Sequence, residues 1–256
     1  MTITGRSADA SGIGMDPLRR TAFLAGALYL LTFIASIPAV FVLDPVLTDA
    51  TYIVGPGADT RVLFGGLLDV VNAAACIGTA VVLFPVLKRQ NETLALGFVT
   101  SRLLEAAIIV MGVVSLLAVV TLRQDLSGTS TADDGSLVTV GASLVAIRDW
   151  TFLIGPGVMA AVNAMLLGTL MYRSGLVPRA IPLMGLIGAP LLLSAKLGMM
   201  FGINDEVSVW SAVALAPIFF WELSLGVWLV VKGFKPSPLT TGNTRSAMSS
   251  APLPHI

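Results

Sequence analysis

One histidine and one cysteine are all that 256 residues contain, and only 12% of the chain is charged. Each scarcity removes a class of function. The sole histidine, His255, lies in the C-terminal tail, so haem ligation by histidine, a Ser-His triad and a histidine-ligated zinc site lack their central group. The lone Cys76 can close no intramolecular disulfide and build no cysteine-rich metal centre, and its apolar surroundings mark it as a packing residue. No cofactor is expected. Basic and acidic residues balance at 15 each, and no basic run interleaves with aromatics, so nucleic-acid binding has no electrostatic footprint.

What fills the chain instead is apolar: 55% hydrophobic residues and a mean hydropathy of +0.89. Soluble domains typically run near a quarter charged. The composition therefore predicts an all-α, polytopic transmembrane bundle whose main partner is the lipid bilayer. About 20 apolar residues cross the hydrocarbon core, and stretches of that length occur near 21–43, 62–87, 94–122, 150–172, 180–202 and 208–231. The expectation is six helices. The first resembles a secretory signal in having Arg19 and Arg20 ahead of it, but its apolar run is too long for a signal's core. The fourth span has an earlier candidate start, because 137–149 also reads as helical and could lead into it as an outer interfacial piece.

Lys and Arg distribute asymmetrically among the loops, and this bias sets orientation. Arg6, Arg19, Arg20, Lys88, Arg89, Arg173, Arg179, Lys232, Lys235 and Arg245 fall on one side, whereas the opposite loops carry Arg61 and Arg123 among many acids. Both termini are expected to be cytoplasmic. Residues 16–234 form the transmembrane domain, and the tails 1–15 and 235–256 lack a core-forming pattern and are expected to be disordered.

Against this background, ionisable residues inside the spans are the candidates for function, because a charge at the hydrocarbon centre costs about 2.5–3.5 kcal/mol on insertion scales. They are Asp69, Arg102, Glu105, Arg148, Asp149, Lys196 and Glu222. From the helical rise, Asp69 and Lys196 both lie roughly 10 Å from the outer ends of their spans, and Arg102 and Glu222 both lie roughly 12–15 Å from the inner ends. The expected pairs are Asp69 with Lys196 and Arg102 with Glu222. Glu105 shares a helical face with Arg102 and is the candidate protonatable carboxylate, while Arg148 and Asp149 would stand at the outer mouth. Asp69, Asn72 and Cys76 recur at i, i+3, i+7, giving the second span one polar stripe.

Two readings of these charges stay open: a ligand or proton pathway, and ion pairs that only fix helix register and neighbours. Gly155-Pro156-Gly157, Gly188-Ala189-Pro190 and Ala216-Pro217 are possible interruptions of the last three spans. Tyr29, Trp150, Tyr172 and Trp210 read as interface anchors or packing. Small-residue pairs such as Ala74 with Gly78 and Gly198 with Gly202 suit close approach, but give a homo-oligomer little support. An aspartyl dyad of Asp69 and Asp149 lacks a flanking motif, so catalysis is not the favoured reading.

The blocks MDPLRRTAFLAGALYLLTF (15–33), LFGGLLDVV (63–71), SRLLEA (101–106), RDWTFLIGPG (148–157), GTLMYRSGLVPRAI (168–181) and WELSLGVWLVVKGF (221–234) together resemble a bacterial multi-pass membrane family known as domain of unknown function 4386. The resemblance implies a small helical bundle, with Asp69, Arg102, Glu105 and Glu222 at the family's polar motif positions. Family members often carry His near the place held here by Arg148, so no proton role is implied for that site. The family supplies no activity. The residues leave two classes: a carrier or ligand-binding bundle for an unidentified small solute or proton, and a membrane scaffold or sensor. Spans one to three and four to six show no convincing inverted repeat, which weighs against a carrier built that way.

Overall fold

A computed structural model describes residues 16–126 and 134–237 of the chain. Every regular element among them is helical: α1 (Pro17–Thr48), α2 (Asp59–Leu87), α3 (Glu92–Leu126), α4 (Asp134–Phe152), a π-helical turn (Leu153–Met159), α5 (Ala160–Ser174), α6 (Ala180–Met200) and α7 (Val209–Val231). Six stretches are long and apolar enough to cross a membrane, with α4, the π turn and α5 running together as the fourth. The tails expected to be disordered lie outside the described residues except for 235–237, where the Lys235 N–H donates to the Leu176 carbonyl at 2.7 Å.

Local chemistry marks several ends. Pro17 begins α1, where its missing N–H costs nothing. The Asn91 side chain accepts from the Leu94 N–H at 2.9 Å at the start of α3, and Ser208 accepts from the Ser211 N–H at 3.1 Å at the start of α7, satisfying donors that the helix leaves free. Gly175, at φ 64°, ends α5 in a left-handed turn that a side chain would strain.

The spans pack as a closed ring in chain order: α1 on α2, α2 on α3, α3 on α4 and α5, α5 on α6, α6 on α7, and α7 back on α1. The closing seam is tight because it is glycine on glycine. A Cβ at Gly26 would stand 2.6 Å from the Gly226 carbonyl oxygen, so small residues let these backbones meet. Arg19 reinforces the seam by donating to the Leu229 and Val230 carbonyls at 3.0 and 2.6 Å, which also places both ends of the bundle sequence together.

The half of the ring near the termini is apolar, and Tyr29, Phe98, Leu167 and Trp221 are almost wholly buried there. Its perimeter is equally apolar, with Ile34, Phe41 and Phe64 exposed as a lipid-facing surface requires. α1 and α3 run 32 and 35 residues, about 50 Å, whereas α6 and α7 run 21 and 23. The excess length collects at the end opposite the termini, where Leu43, Val46, Tyr52, Ile53, Leu116 and Val120 form a second core. The segment 137–149 is helical and leads into the fourth span, as its pattern suggested: it belongs to α4, which starts at Asp134 and packs on α3.

Candidate functional site

Arg102 is the centre of the polar interior. One turn along α3, Glu105 faces the same way, and its Oε2 lies 2.8 Å from Arg102 Nη1. The other arm of the guanidinium, Nη2, reaches α7 at Glu222 Oε1, 3.3 Å away. This cross-ring pair was expected from depth alone. Asn163 on α5 donates from Nδ2 to the same Glu105 oxygen at 2.7 Å, and the Arg102 guanidinium carbon stands 5.2 Å from the Tyr29 ring centre and 5.9 Å from that of Phe98. Buried charges carry a desolvation cost of several kcal/mol each, so they persist only when partners surround them. Here α1, α3, α5 and α7 supply these partners, and α2 adds the Cys76 sulfur 3.5 Å from Arg102 Nη1.

Above this network the ring encloses a cavity of about 160 Å³ to which every span contributes, with Phe33 from α1, Asn72 from α2, Arg102 from α3, Pro156 from the π turn, Leu192 from α6 and Glu222 from α7. The volume matches the roughly 150 Å³ of an engineered cavity that takes up benzene. It is too small for a drug-sized ligand, whose pockets run from about 300 Å³. The Glu222 side chain retains 18% of its exposure, and its second oxygen forms no hydrogen bond among the described residues. Glu105 is the better-partnered carboxylate, held by Arg102 and Asn163. Glu105, the candidate protonatable carboxylate, is thus tied to a cation, and Glu222 is the less satisfied of the two.

A second charge pair lies apart from the cavity. Asp69 Oδ2 is 3.0 Å from Arg148 Nη2, both side chains being buried. The expected pair of Asp69 with Lys196 does not form. In the ring α2 and α6 stand opposite each other, with α3 and α4 between, so Arg148 intercepts the carboxylate. Lys196 lays its methylenes across the π turn instead, its Cδ and Cε each 3.0 Å from where a Cβ at Gly157 would stand. Asp149 is exposed and lines a separate cavity of about 180 Å³ beneath the loop after α1. Of the eight candidate residues, Asn72, Arg102, Glu105 and Glu222 share one cavity, Asp69 and Arg148 pair with each other, and Lys196 and Asp149 join neither group.

The three suspected helix interruptions behave differently. Gly155-Pro156-Gly157 does distort its helix into a π turn, a deviation often found at functional sites, and Pro156 lines the cavity. Pro190 and Pro217 leave α6 and α7 continuous. Those helices pack directly on one another there, with a Cβ at Gly188 only 2.9 Å from Pro217 Cβ. Gly78, considered as part of a dimer motif, is used inside the chain against Leu28.

The model of the family described as Domain of unknown function (DUF4386) matches residues 24–233. The chain belongs to this family. No curated protein and no solved structure matches it. In this DUF4386 member the match begins two turns into α1, after Arg19 and Arg20, and runs past the end of α7, so it includes all of the charged residues of the polar interior.

Three residues around this cavity carry less signal in the sequence than in the structure. Asn163 carries no charge and was passed over, although an amide in the middle of a span needs partners as a carboxylate does. Tyr29 sits too deep in α1 for an interface anchor, and this depth was the available signal. Cys76 does pack against Ala73 and Ala106, yet its sulfur also lies 3.5 Å from Arg102 Nη1 and lines the cavity. Among the described residues no group of three His, Cys, Asp or Glu could hold a metal ion.

Proposed function

We propose that this protein is a multi-pass component of a bacterial cytoplasmic membrane, with both termini cytoplasmic, whose central cavity binds a small solute or a proton and uses that occupancy to drive transport or a linked conformational change. One observation carries the reading: a cavity lined by all six spans sets one guanidinium against two carboxylates and leaves an oxygen of Glu222 without a hydrogen-bond partner among the described residues. Intramembrane ionisable groups beside a cavity are working-site candidates by default. Occupancy that loosens Glu222 from Arg102 would release α7 from α3, the two helices this ion pair ties across the ring.

The alternative, a scaffold whose ion pairs set geometry, is favoured for Asp69 and Arg148, which pair with each other away from that cavity. The two roles thus separate by location within one bundle. Thermal unfolding of the detergent-purified protein and of Glu222→Gln, across a pH series and a panel of small solutes, tests the binding reading. A solute or proton response present in the wild type and lost in the variant supports it. Equal unfolding curves with no response to any solute or to pH would leave only the scaffold, and flux into liposomes then decides whether binding leads to translocation.

A further inference from the structure

The charge and the wall chemistry of the central cavity narrow what it can hold. Three charged side chains line it, Arg102, Glu105 and Glu222; in ionised form they leave one negative charge in surplus. Arg102 has both terminal nitrogens on glutamates and aromatic rings of Tyr29 and Phe98 near its guanidinium carbon. An anion entering here would add a third negative charge beside a single, already engaged cation. A cation would instead meet the Glu222 oxygen that forms no hydrogen bond among the described residues. Nearby, Phe33 and Phe219 line the same cavity and meet edge to face with ring centres 5.2 Å apart. A carboxylate beside aromatic rings is the combination that recognises organic ammonium groups, the carboxylate by charge and the rings by their negative faces.

Access and size agree with such a ligand. Leu215 and Phe219 are the two exposed residues of the lining. With Glu222 they follow i, i+4, i+7 along one face of α7, so the exposed side of the cavity lies along α7 beside α1 on the lipid-facing perimeter, a route suited to an amine that carries an apolar group. A volume of about 160 Å³ suits a molecule of benzene size with a short polar substituent.

Resting on the binding reading above, we infer that the central cavity is a site for a small organic monocation, an amine or quaternary ammonium carrying an apolar group, with Glu222 as its counter-ion and Phe33 and Phe219 as its aromatic wall.

Three probes of one shape test the charge: benzylamine as its ammonium, benzyl alcohol and benzoate, each titrated by calorimetry into the full chain in nanodiscs. The expected result is saturable binding of benzylammonium, at least about tenfold tighter than either isostere. Glu222→Gln should weaken it about tenfold or more, and Phe219→Leu, which leaves every charge in place, should weaken it about threefold to tenfold, within the range of a cation–π contact. If benzoate or benzyl alcohol binds as well as or better than benzylammonium, the cation assignment is overturned while the solute-binding reading stands. If none of the three binds, the cation assignment is again overturned, and the solute panel decides whether the binding reading falls with it. Binding of benzylammonium that neither substitution alters places the cation elsewhere and also overturns the assignment.

Discussion

Arg148 reaches Asp69 by passing over α3 at Gly112, where a Cβ would stand 2.9 Å from Arg148 Cδ and 2.6 Å from Thr151 Oγ1. The glycine is buried and makes the Asp69–Arg148 contact sterically possible. Gly112→Ala should therefore push α4 away and destabilise the fold by about 1–3 kcal/mol, the usual cost of overpacking. Thermal unfolding in detergent measures it. A variant as stable as the wild type, with the pair still coupled, would show that α4 yields freely.

The pair itself should behave as structural. Removing one member, by Asp69→Leu or Arg148→Met, leaves an uncompensated buried charge and is expected to cost about 3–5 kcal/mol, whereas the double variant should recover most of that loss. The same three proteins should keep the solute response of the central cavity, since neither residue lines it. Loss of that response in a well-folded double variant would draw the outer pair into the working site.

Much of this bundle was legible because its energetics are one-dimensional: a run of apolar residues long enough to cross lipid must be helical, and charges within it must turn inward. Depth along each helix then placed Arg102 level with Glu222. Depth alone could not place Asp69 with the right partner, because Lys196 and Arg148 both offer a cation and only the order of helices around the ring separates them. Apolar periodicity gave no help with that order. Ile34 and Phe41 on the outside of α1 are as hydrophobic as Leu43 inside it, since lipid and core accept the same side chains. The Gly112 passage and the role of Asn163 were hidden for a related reason, being properties of two helices together.

Arg102 should not tolerate lysine. Its two terminal nitrogens serve Glu105 and Glu222 on different helices, and a single ammonium cannot reproduce that fork. Arg102→Lys keeps the charge and is expected to lower the unfolding temperature and abolish any Glu222-dependent solute response. Asn163→Leu removes one donor from Glu105 and should cost about 1.5–3 kcal/mol, as for a hydrogen bond to a charged group. A lysine variant indistinguishable from wild type in both stability and binding would contradict the proposed bridge.

Arg61 and Pro45 should be coupled. Proline has no N–H to give the carbonyl four residues earlier, and that carbonyl, Phe41, accepts instead from Arg61 Nη2 at 2.8 Å, with Arg61 Nε on the Val42 carbonyl at 2.9 Å. Arg61→Gln is expected to cost about 0.5–1.5 kcal/mol in the native background. In a Pro45→Ala background, where alanine's N–H can bond Phe41, the same change should cost less. Additive losses across the double-mutant cycle would deny the link.

Arg123 clamps the loop between α1 and α2 from the far end of α3. It bonds Asp59 through Nε at 2.7 Å and through Nη2 at 2.6 Å, and donates to the Gly55 and Gly57 carbonyls at 2.7 and 2.9 Å, so one guanidinium ties three points of chain. The loop's Tyr52 is 5% exposed, which makes chymotryptic cleavage there a direct readout of loop opening. Arg123→Lys, with a charge but no planar fork, should accelerate that cleavage several-fold. Acid acts on a different contact in the loop. The Thr51 hydroxyl and N–H, at 2.7 and 2.9 Å, hold the Asp49 carboxyl below its usual range, so whatever it contributes is present above the ordinary aspartate value and is lost only as pH falls through the lowered one. Protection of Tyr52 in wild type is thus expected to persist through mildly acidic pH, whereas the lysine variant should be cut readily even at neutrality. Equal cleavage rates for the two proteins at neutral pH would place the loop's anchor elsewhere than Arg123.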